Sequence, residues 1–350
     1  MSIHGKREKK NLRNFIYLLN NNLRKDTINK FEMKVLHVTP NYPTKEYPIF
    51  GIFVKEQVES LQKIGINCDV MNCDGQNKGF KKYITYLPSL WKKALFGGYD
   101  IIHCHHALAA VLLTMTGAPL FKKCVLSYQN DPTHEWGDKM FKVFNSLKFK
   151  KFIIKNPSPY LENKKFVYLP NGCNQDFFYP MDMKVCREKL GWDIDKQFLI
   201  YMDSNKGVRT QKRQDRFDEV VKLLNDKYGW NAEKVVMRNV DRPMVPLYLN
   251  AANLHMISSD FEGSPNSVKE CMCCNTPVVS TPVGNVVEMI DDIDGTYVTK
   301  GFTSEELAEC CDKVLKSTIP FEGRDKFLAK GYGMATVAQK LKRIYEEILS

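Results

Sequence analysis

The chain has 350 residues, 43% of them hydrophobic, and a formal net charge of +11. That length exceeds one hydrophobic core and predicts two domains, while no apolar run approaches the roughly 18 residues of a membrane span and the first residues lack the apolar core of a signal peptide. Eleven scattered cysteines point to a reducing, cytoplasmic compartment rather than a disulfide framework, and the positive balance favours an anionic partner.

Residues 1–32 form a basic leader. Lys6, Arg7, Lys9, Lys10 and Arg13 accompany Leu12, Phe15, Ile16, Leu19 and Leu23 at helical spacing. The leader reads either as an extension outside the folded core or as a basic amphipathic helix on an anionic membrane surface. It has no aromatics interleaved with its cations for base stacking, so nucleic acid is set aside as a partner. The core opens at Met33. Val35 to Thr39 reads as a strand. A loop with Pro43, Pro48 and Gly51 follows, then a helix carrying Val54, Val58 and Leu61, ended by Gly65. Ile66 to Met71 is the next strand. No Gly-x-Gly-x-x-Gly follows the first strand, which excludes a dinucleotide fingerprint.

Ile101 and Ile102 begin a buried strand whose carboxyl end carries His103, His105 and His106. Histidines so close together are potential metal ligands, but a zinc site needs more ligands than the neighbouring sequence offers, so no metal is assigned. Cys124 to Tyr128 is a further strand, followed by Gln129, Asn130 and Asp131, polar side chains placed to meet a sugar. Lys148 to Lys155 is basic around Phe152-Ile-Ile and reads as a strand end.

The second half opens with a strand at Phe198 to Met202. Its loop holds Lys206, Arg209, Lys212 and Arg213 beside Gly207. Such a loop suits a diphosphate; the alternative is a solvated basic loop. Lys234 to Arg238 reads as a strand and Pro246 to Ala252 as a short helix. Then come a buried strand (Leu254 to Ile257), a polar loop with Gly263 and Pro265, a helix (Ser267 to Asn275) and a strand (Pro277 to Thr281). This order is the repeating unit of a parallel α/β sheet, in which ligands bind beyond the carboxyl ends of the strands. Glu262 lies in the loop and Glu270 in the helix, eight residues on. The backbone N–H groups of Gly263, Ser264, Asn266, Ser267 and Val268, in a loop shaped by Pro265, surround a helix start, which suits an anion. Two carboxylates beside an anion site suggest a polyhydroxylated ligand that carries phosphate. Cys271 and Cys274 form a literal C-x-x-C, read as helix packing. A helix over Ser304 to Leu315 precedes a last one, where Thr336 and Gln339 suggest a capping box and Val337, Leu341, Ile344 and Ile348 make one apolar face.

The run Glu262, Glu270, Cys271-Met-Cys-Cys-Asn-Thr and Pro277-Val-Val-Ser-Thr-Pro-Val-Gly284 resembles the donor site of retaining glycosyltransferases of the GT-B fold, in the group often called family 4. Pro48 to Gln57 resembles the first loop and helix of the same enzymes. Asp100, His103 and His105 match their Asp-x-x-His-x-His pattern, and Phe166 to Gly172 resembles their crossover between domains. The resemblance covers about residues 33–350. It implies two facing Rossmann-like domains with parallel sheets: 33–168 binding the acceptor, 169–333 binding the nucleotide sugar, and 334–350 packing back on the first domain. It implies that Glu270 binds the ribose, Glu262 the transferred sugar, and Gly51 approaches the donor. Lys212, with Lys206 or Arg209 as partner and Arg213 beside it, would neutralise the departing phosphate. His105 would lie near the reacting centre, with Asn130 or Asp131 touching acceptor or sugar; His103 reads as a core histidine. The reaction implied is transfer of a sugar from a UDP- or GDP-linked donor to a glycan or lipid-linked acceptor, without metal or other cofactor, in surface polysaccharide or glycoconjugate synthesis, by a cytoplasmic protein peripheral to the membrane if the leader binds lipid. A GT-B epimerase and a non-catalytic nucleotide- or membrane-binding protein are the alternatives.

Overall fold

The computed structural model describes residues 33–74, 79–130, 132, 135, 137–203 and 210–350. The leader and the candidate residues Asp131, Lys206 and Arg209 lie outside them.

Six parallel strands build the first sheet: β1 (Lys34–Thr39), β2 (Asn67–Asn72), β3 (Ile101–His105), β4 (Lys123–Ser127), β5 (Phe149–Ile154) and β6 (Phe166–Tyr168), in the order β2-β1-β3-β4-β5-β6. The second sheet holds β7 (Gln197–Met202), β8 (Ala232–Met237), β9 (Leu254–Ile257), β10 (Val278–Ser280) and β11 (Tyr297–Val298), in the order β11-β10-β9-β7-β8. All pairings are parallel. The strand β5 is thus a full central member, not merely a strand end. Its Phe149, Phe152, Ile153 and Ile154 are fully buried, as a strand covered on both faces requires.

Each sheet reverses its strand order once. In the first, β1 pairs with β2 on one side and β3 on the other. In the second, β7 stands between β8 and β9. Chains leaving the carboxyl ends of strands on either side of such a reversal diverge and leave a crevice. The loops after β1 and β3, and those after β7 and β9, therefore flank the two open crevices. They carry the candidate residues Gly51, Lys212, Arg213 and Glu262, with His105 at the very end of β3.

Helix Met334–Leu349 follows the second sheet in sequence but packs on the first. Val337, Leu341, Ile344, Tyr345 and Ile348 join Val35, Val54, Val58, Leu61, Ile101, Val125 and Ile153 in one buried cluster. Each such aliphatic side chain stabilises by about 1.5–3 kcal/mol, so this helix fastens the chain's end to its beginning. The expected capping box is not formed. The helix starts at Met334 with Gly333 as its cap residue and no side-chain cap. The main-chain bridge between Cys173 and Gly333, with Met334 N–H donating to Cys173 C=O at 2.8 Å, fixes that start instead. Thr336 falls inside the first turn. All eleven cysteines are free thiols, ten of them buried, and Cys271, Cys273 and Cys274 pack in the core.

Candidate active site

Gly51 ends the loop after β1. It adopts φ +70°, and a Cβ there would lie 2.2 Å from the Asn41 carbonyl oxygen, so glycine is required for the loop to close onto helix Ile52–Lys63. On the other domain Gly284 has φ +56°, with its Cβ position 2.1 Å from the Gly263 carbonyl oxygen. Gly284 thereby lets the loop after β10 back directly onto Glu262 and Gly263. A Cβ on Gly263 would in turn sit 3.4 Å from the Gln129 carbonyl oxygen, so the loop after β9 meets the loop after β4 across the domain seam.

Lys212 and Glu262, from the loops either side of the β7–β9 reversal, form an ion pair at 3.2 Å with about a fifth of each side chain exposed. Glu262 Oε1 also accepts from Ser259 Oγ at 3.0 Å. Ser258 Oγ donates to the carbonyls of Lys212 and Arg213, both at 2.9 Å, and sets the height of the basic loop. Arg213 departs from the expected cluster. Its guanidinium reaches Asp215 at 2.8 Å and Asp260 at 3.2 Å, and the two carboxylates balance its charge. Arg216, buried, also bonds Asp260 at 2.9 Å.

Glu270 lies on helix Asn266–Cys273, which is one residue earlier in its start and two in its end than expected. Its carboxylate accepts from Arg242 Nη1 at 2.6 Å, while Arg242 Nη2 reaches Glu56 of the first domain at 3.1 Å. The Arg242 guanidinium also sits 4.7 Å from the Phe178 ring. Burial works against its charge, but Glu270 and Glu56 outweigh it and raise its pKa. Burial is likewise the main effect on Glu56, raising its pKa against the pull of Arg242. Next to Glu270, Lys269 is fully buried, donating to the Ser264 carbonyl and Asn266 Oδ1, both at 3.2 Å; burial lowers its pKa to about 7.

The first domain contributes imidazoles. His103 and His105 sit beside each other on β3, and β1 brings His37 alongside. His103 Nδ1 bonds the Tyr345 hydroxyl at 2.6 Å and Nε2 bonds Ser127 Oγ at 2.7 Å, so it is a satisfied core histidine. His105 Nε2 meets His37 Nδ1 at 2.9 Å. Burial lowers the pKa of all three, His37 to about 3, which keeps the rings neutral at pH 7. One nitrogen from each ring lies within 4.8 Å of the others, a third ring that adjacent sequence did not supply. His103 uses both nitrogens on hydroxyls, and the Lys155 charge further lowers the pKa of His103 and His105, so the cluster suits neutral hydrogen bonding better than a cation.

Between the domains lies a cleft of about 1190 Å³, lined by Asn130, Asn156, Ser158, Tyr160 and Glu162 on one side and Phe261, Glu262, Gly263 and Gly284 on the other. Asn130 is placed there by Glu135. That buried carboxylate accepts from the backbone N–H of Gln129 and Asn130, both at 2.7 Å, and of Ala107 at 3.0 Å. Several buried polar atoms around the seam have no partner among the described residues: Asn156 Oδ1, Ser264 Oγ, Asn285 Oδ1, His37 Nε2 and Arg242 Nε. Buried polar groups are normally hydrogen-bonded, so these are positions at which a polar ligand or water would gain.

Sequence reasoning missed His37, Glu56, Glu135, Arg242 and Lys269. A histidine inside the apolar strand at Val35 to Thr39 was a usable signal for His37. Glu56 and Arg242 act through contacts between segments far apart in sequence and left no local mark, whereas Lys269 and Glu135 bond chiefly to residues within six positions of themselves.

Residues 209–317, from the basic loop to the helix after β11, match the family model described as "Glycosyl transferases group 1". The architecture is that of GT-B structures. The chain superposes on sucrose-phosphate synthase from Thermosynechococcus elongatus with a TM-score of 0.66 at 15% identity, covering 90% of this chain and 99% of that one. Anabaena HepE in complex with UDP and glucose gives 0.65 at 14% identity, covering 90% and 100%. In sequence the chain is similar to the capsular polysaccharide biosynthesis glycosyltransferase CapM of Staphylococcus aureus, 22% identical over 282 residues, 78% of this chain and 67% of that one. Among the described residues no helix is long and apolar enough to cross a membrane.

Proposed function

We propose that this chain is a retaining, family 4 type glycosyltransferase that moves a hexose from a nucleotide diphosphate to a glycan or lipid-linked acceptor in surface polysaccharide synthesis. The observation that carries the reading is the pairing of Lys212 with Glu262 at the β7–β9 reversal, within the region of the family match. The likeness of the fold to a protein solved with UDP and glucose favours a UDP-linked donor. Glu270 takes the ribose hydroxyls, and Arg242 holds its carboxylate in place. The backbone N–H groups of Gly263, Ser264, Asn266, Ser267 and Val268 and the Gly51 loop receive the diphosphate, with Pro265 shaping the loop. Lys212, joined by Lys206 or Arg209, stabilises the charge that builds on the phosphate as the glycosidic bond breaks. Glu262, held by Lys212 and Ser259, accepts from hydroxyls of the transferred sugar. His105 faces the same centre as a neutral ring oriented by His37, and Asn130 meets sugar or acceptor from the first domain. The leaving phosphate removes the acceptor's proton on the same sugar face, which retains configuration. No metal or other cofactor is needed in this scheme, because the basic loop supplies the countercharge.

The test is turnover of a panel of UDP- and GDP-sugars, with and without EDTA. Release of UDP that requires an added acceptor and survives EDTA is the expected result. Loss on chelation with recovery on magnesium or manganese would reassign the phosphate's countercharge to a metal.

A further inference from the structure

The first domain exposes large apolar side chains on one side. Trp91 and Phe96, on helix Leu87–Phe96, form an edge-on ring pair at 5.3 Å. Phe96 and Phe121 are each 70% exposed, Leu120 56% and Trp91 46%. The helix packs against the short turn Ala118–Leu120, which leads into Phe121. The Lys148 backbone N–H donates to the Pro119 carbonyl at 2.9 Å, so the end of the next helix joins the same edge. Apolar side chains exposed together, rather than singly, mark an interaction surface.

The surround is basic. Asp100 is the sole acid in the sequence from 87 to 130, against Lys92, Lys93, Lys122 and Lys123. Lys92, Lys148 and Lys150 are exposed. Lys151, in the same basic run as Lys148 and Lys150, is instead paired with Glu347 at 2.7 Å. Asp100 is itself engaged by the Lys34 backbone N–H at 2.8 Å.

We infer that this edge is a lipid-facing surface: Trp91, Phe96, Leu120 and Phe121 enter the headgroup boundary of an anionic bilayer while Lys92, Lys122, Lys148 and Lys150 meet its phosphates. The charge decides the occupant. A second copy of this chain would bring the same lysines against one another, whereas an anionic membrane complements them. Aromatic side chains suit the boundary between headgroup and acyl chain. This surface belongs to the folded first domain and does not depend on the leader or on the proposed reaction, so donor binding and lipid binding fail separately.

The experiment is co-sedimentation of the full chain with vesicles of phosphatidylglycerol and phosphatidylcholine, against phosphatidylcholine alone, together with tryptophan quenching by brominated lipid. The expected result is salt-sensitive binding to the anionic vesicles with quenching that Trp91→Phe removes. Phe96→Ser with Phe121→Ser should weaken binding about tenfold, while Ile319→Ser, equally exposed but on the second domain, leaves it unchanged. A full chain with Lys6, Arg7, Lys9 and Lys10 changed to serine should keep its Trp91 quenching. Two outcomes overturn the assignment. One is binding that follows the leader substitutions and ignores Phe96 and Phe121. The other is a dimer by light scattering that Phe96→Ser with Phe121→Ser dissociates while vesicle binding stays intact.

Discussion

The two sides of the cleft manage charge in opposite ways. On the second domain, ions are kept as ions and paired: Lys212 with Glu262, Arg242 with Glu270 and Glu56, Arg213 with Asp215 and Asp260. On the first domain, three imidazoles are buried and held neutral, His37, His103 and His105, while burial lowers the pKa of Lys155 there and of Lys269 on the second domain alike to about 7. A charged donor needs the first arrangement. A sugar hydroxyl reacting beside it needs walls that bring no competing charge, and neutral imidazoles and amides provide them.

The comparison is tested most strongly on the charged side. Lys212→Ala and Glu270→Ala each remove one member of a pair that a nucleotide sugar would also engage. The loss should be about 1.5–3 kcal/mol of transition-state or donor binding, near the upper end for a charged hydrogen bond, or roughly 10- to 150-fold in kcat/KM. Glu270→Ala should raise the KM for the donor, and Lys212→Ala should lower kcat. Steady-state kinetics with unchanged melting temperatures reads the split, and wild-type values in both variants would undo the site.

The neutral side is tested by pH. Folded His37 has a pKa of about 3 against an ordinary 6.5. Between those values the unfolded chain binds more protons, so stability is complete above pH 6.5 and falls as acid is added. His37 alone should cost about 2 kcal/mol at pH 5. His255, lowered to about 4 by burial, adds to the same slope, so the difference between wild type and His37→Gln is the useful quantity. Urea titrations at pH 7 and pH 5 should show a smaller decline in the variant. Equal declines would mean the ring is not held neutral by burial.

Much of this was legible in the sequence because the signals are local. Apolar runs of four to six residues gave β1, β7 and β9 nearly to the residue, and the strand, polar loop and helix around Glu262 and Glu270 placed two carboxylates where a parallel sheet binds ligands. What was not legible depends on distant segments meeting. Arg242 belongs to the site only because Glu270 and Glu56, on different domains, converge on it. Glu135 fixes Asn130 by collecting backbone amides from the loop after β4 and from Ala107 at the start of the helix after β3. The start of the last helix looked like a capping box at Thr336, yet Cys173, far back in the chain, sets the cap three residues earlier, at Gly333. Four cations around residues 206–213 looked alike; the fold separates Lys212 from Arg213.

That separation carries the smallest expected effect and the finest test. Arg213 has φ +50° and lies at the start of helix Gln214–Asp226, facing Asp215 and Asp260. Lys212, its neighbour, faces Glu262. Pairs as open as those of Arg213 typically contribute about 0.2–1 kcal/mol, and the long side chain's freedom in water offsets part of that. Arg213→Gln should therefore lower stability by less than about 1 kcal/mol and change UDP affinity by no more than about threefold, with a reduced effect at high salt, which screens exposed charges. Lys212→Gln, one residue earlier, removes a charge-assisted contact to the phosphate that carries the leaving charge and should weaken UDP by about 1.5–3 kcal/mol. Calorimetric titration of UDP into both variants decides. If the two lysine and arginine variants lose affinity equally, the diphosphate draws Arg213 away from its carboxylates on binding, and the two charges act as one cluster after all.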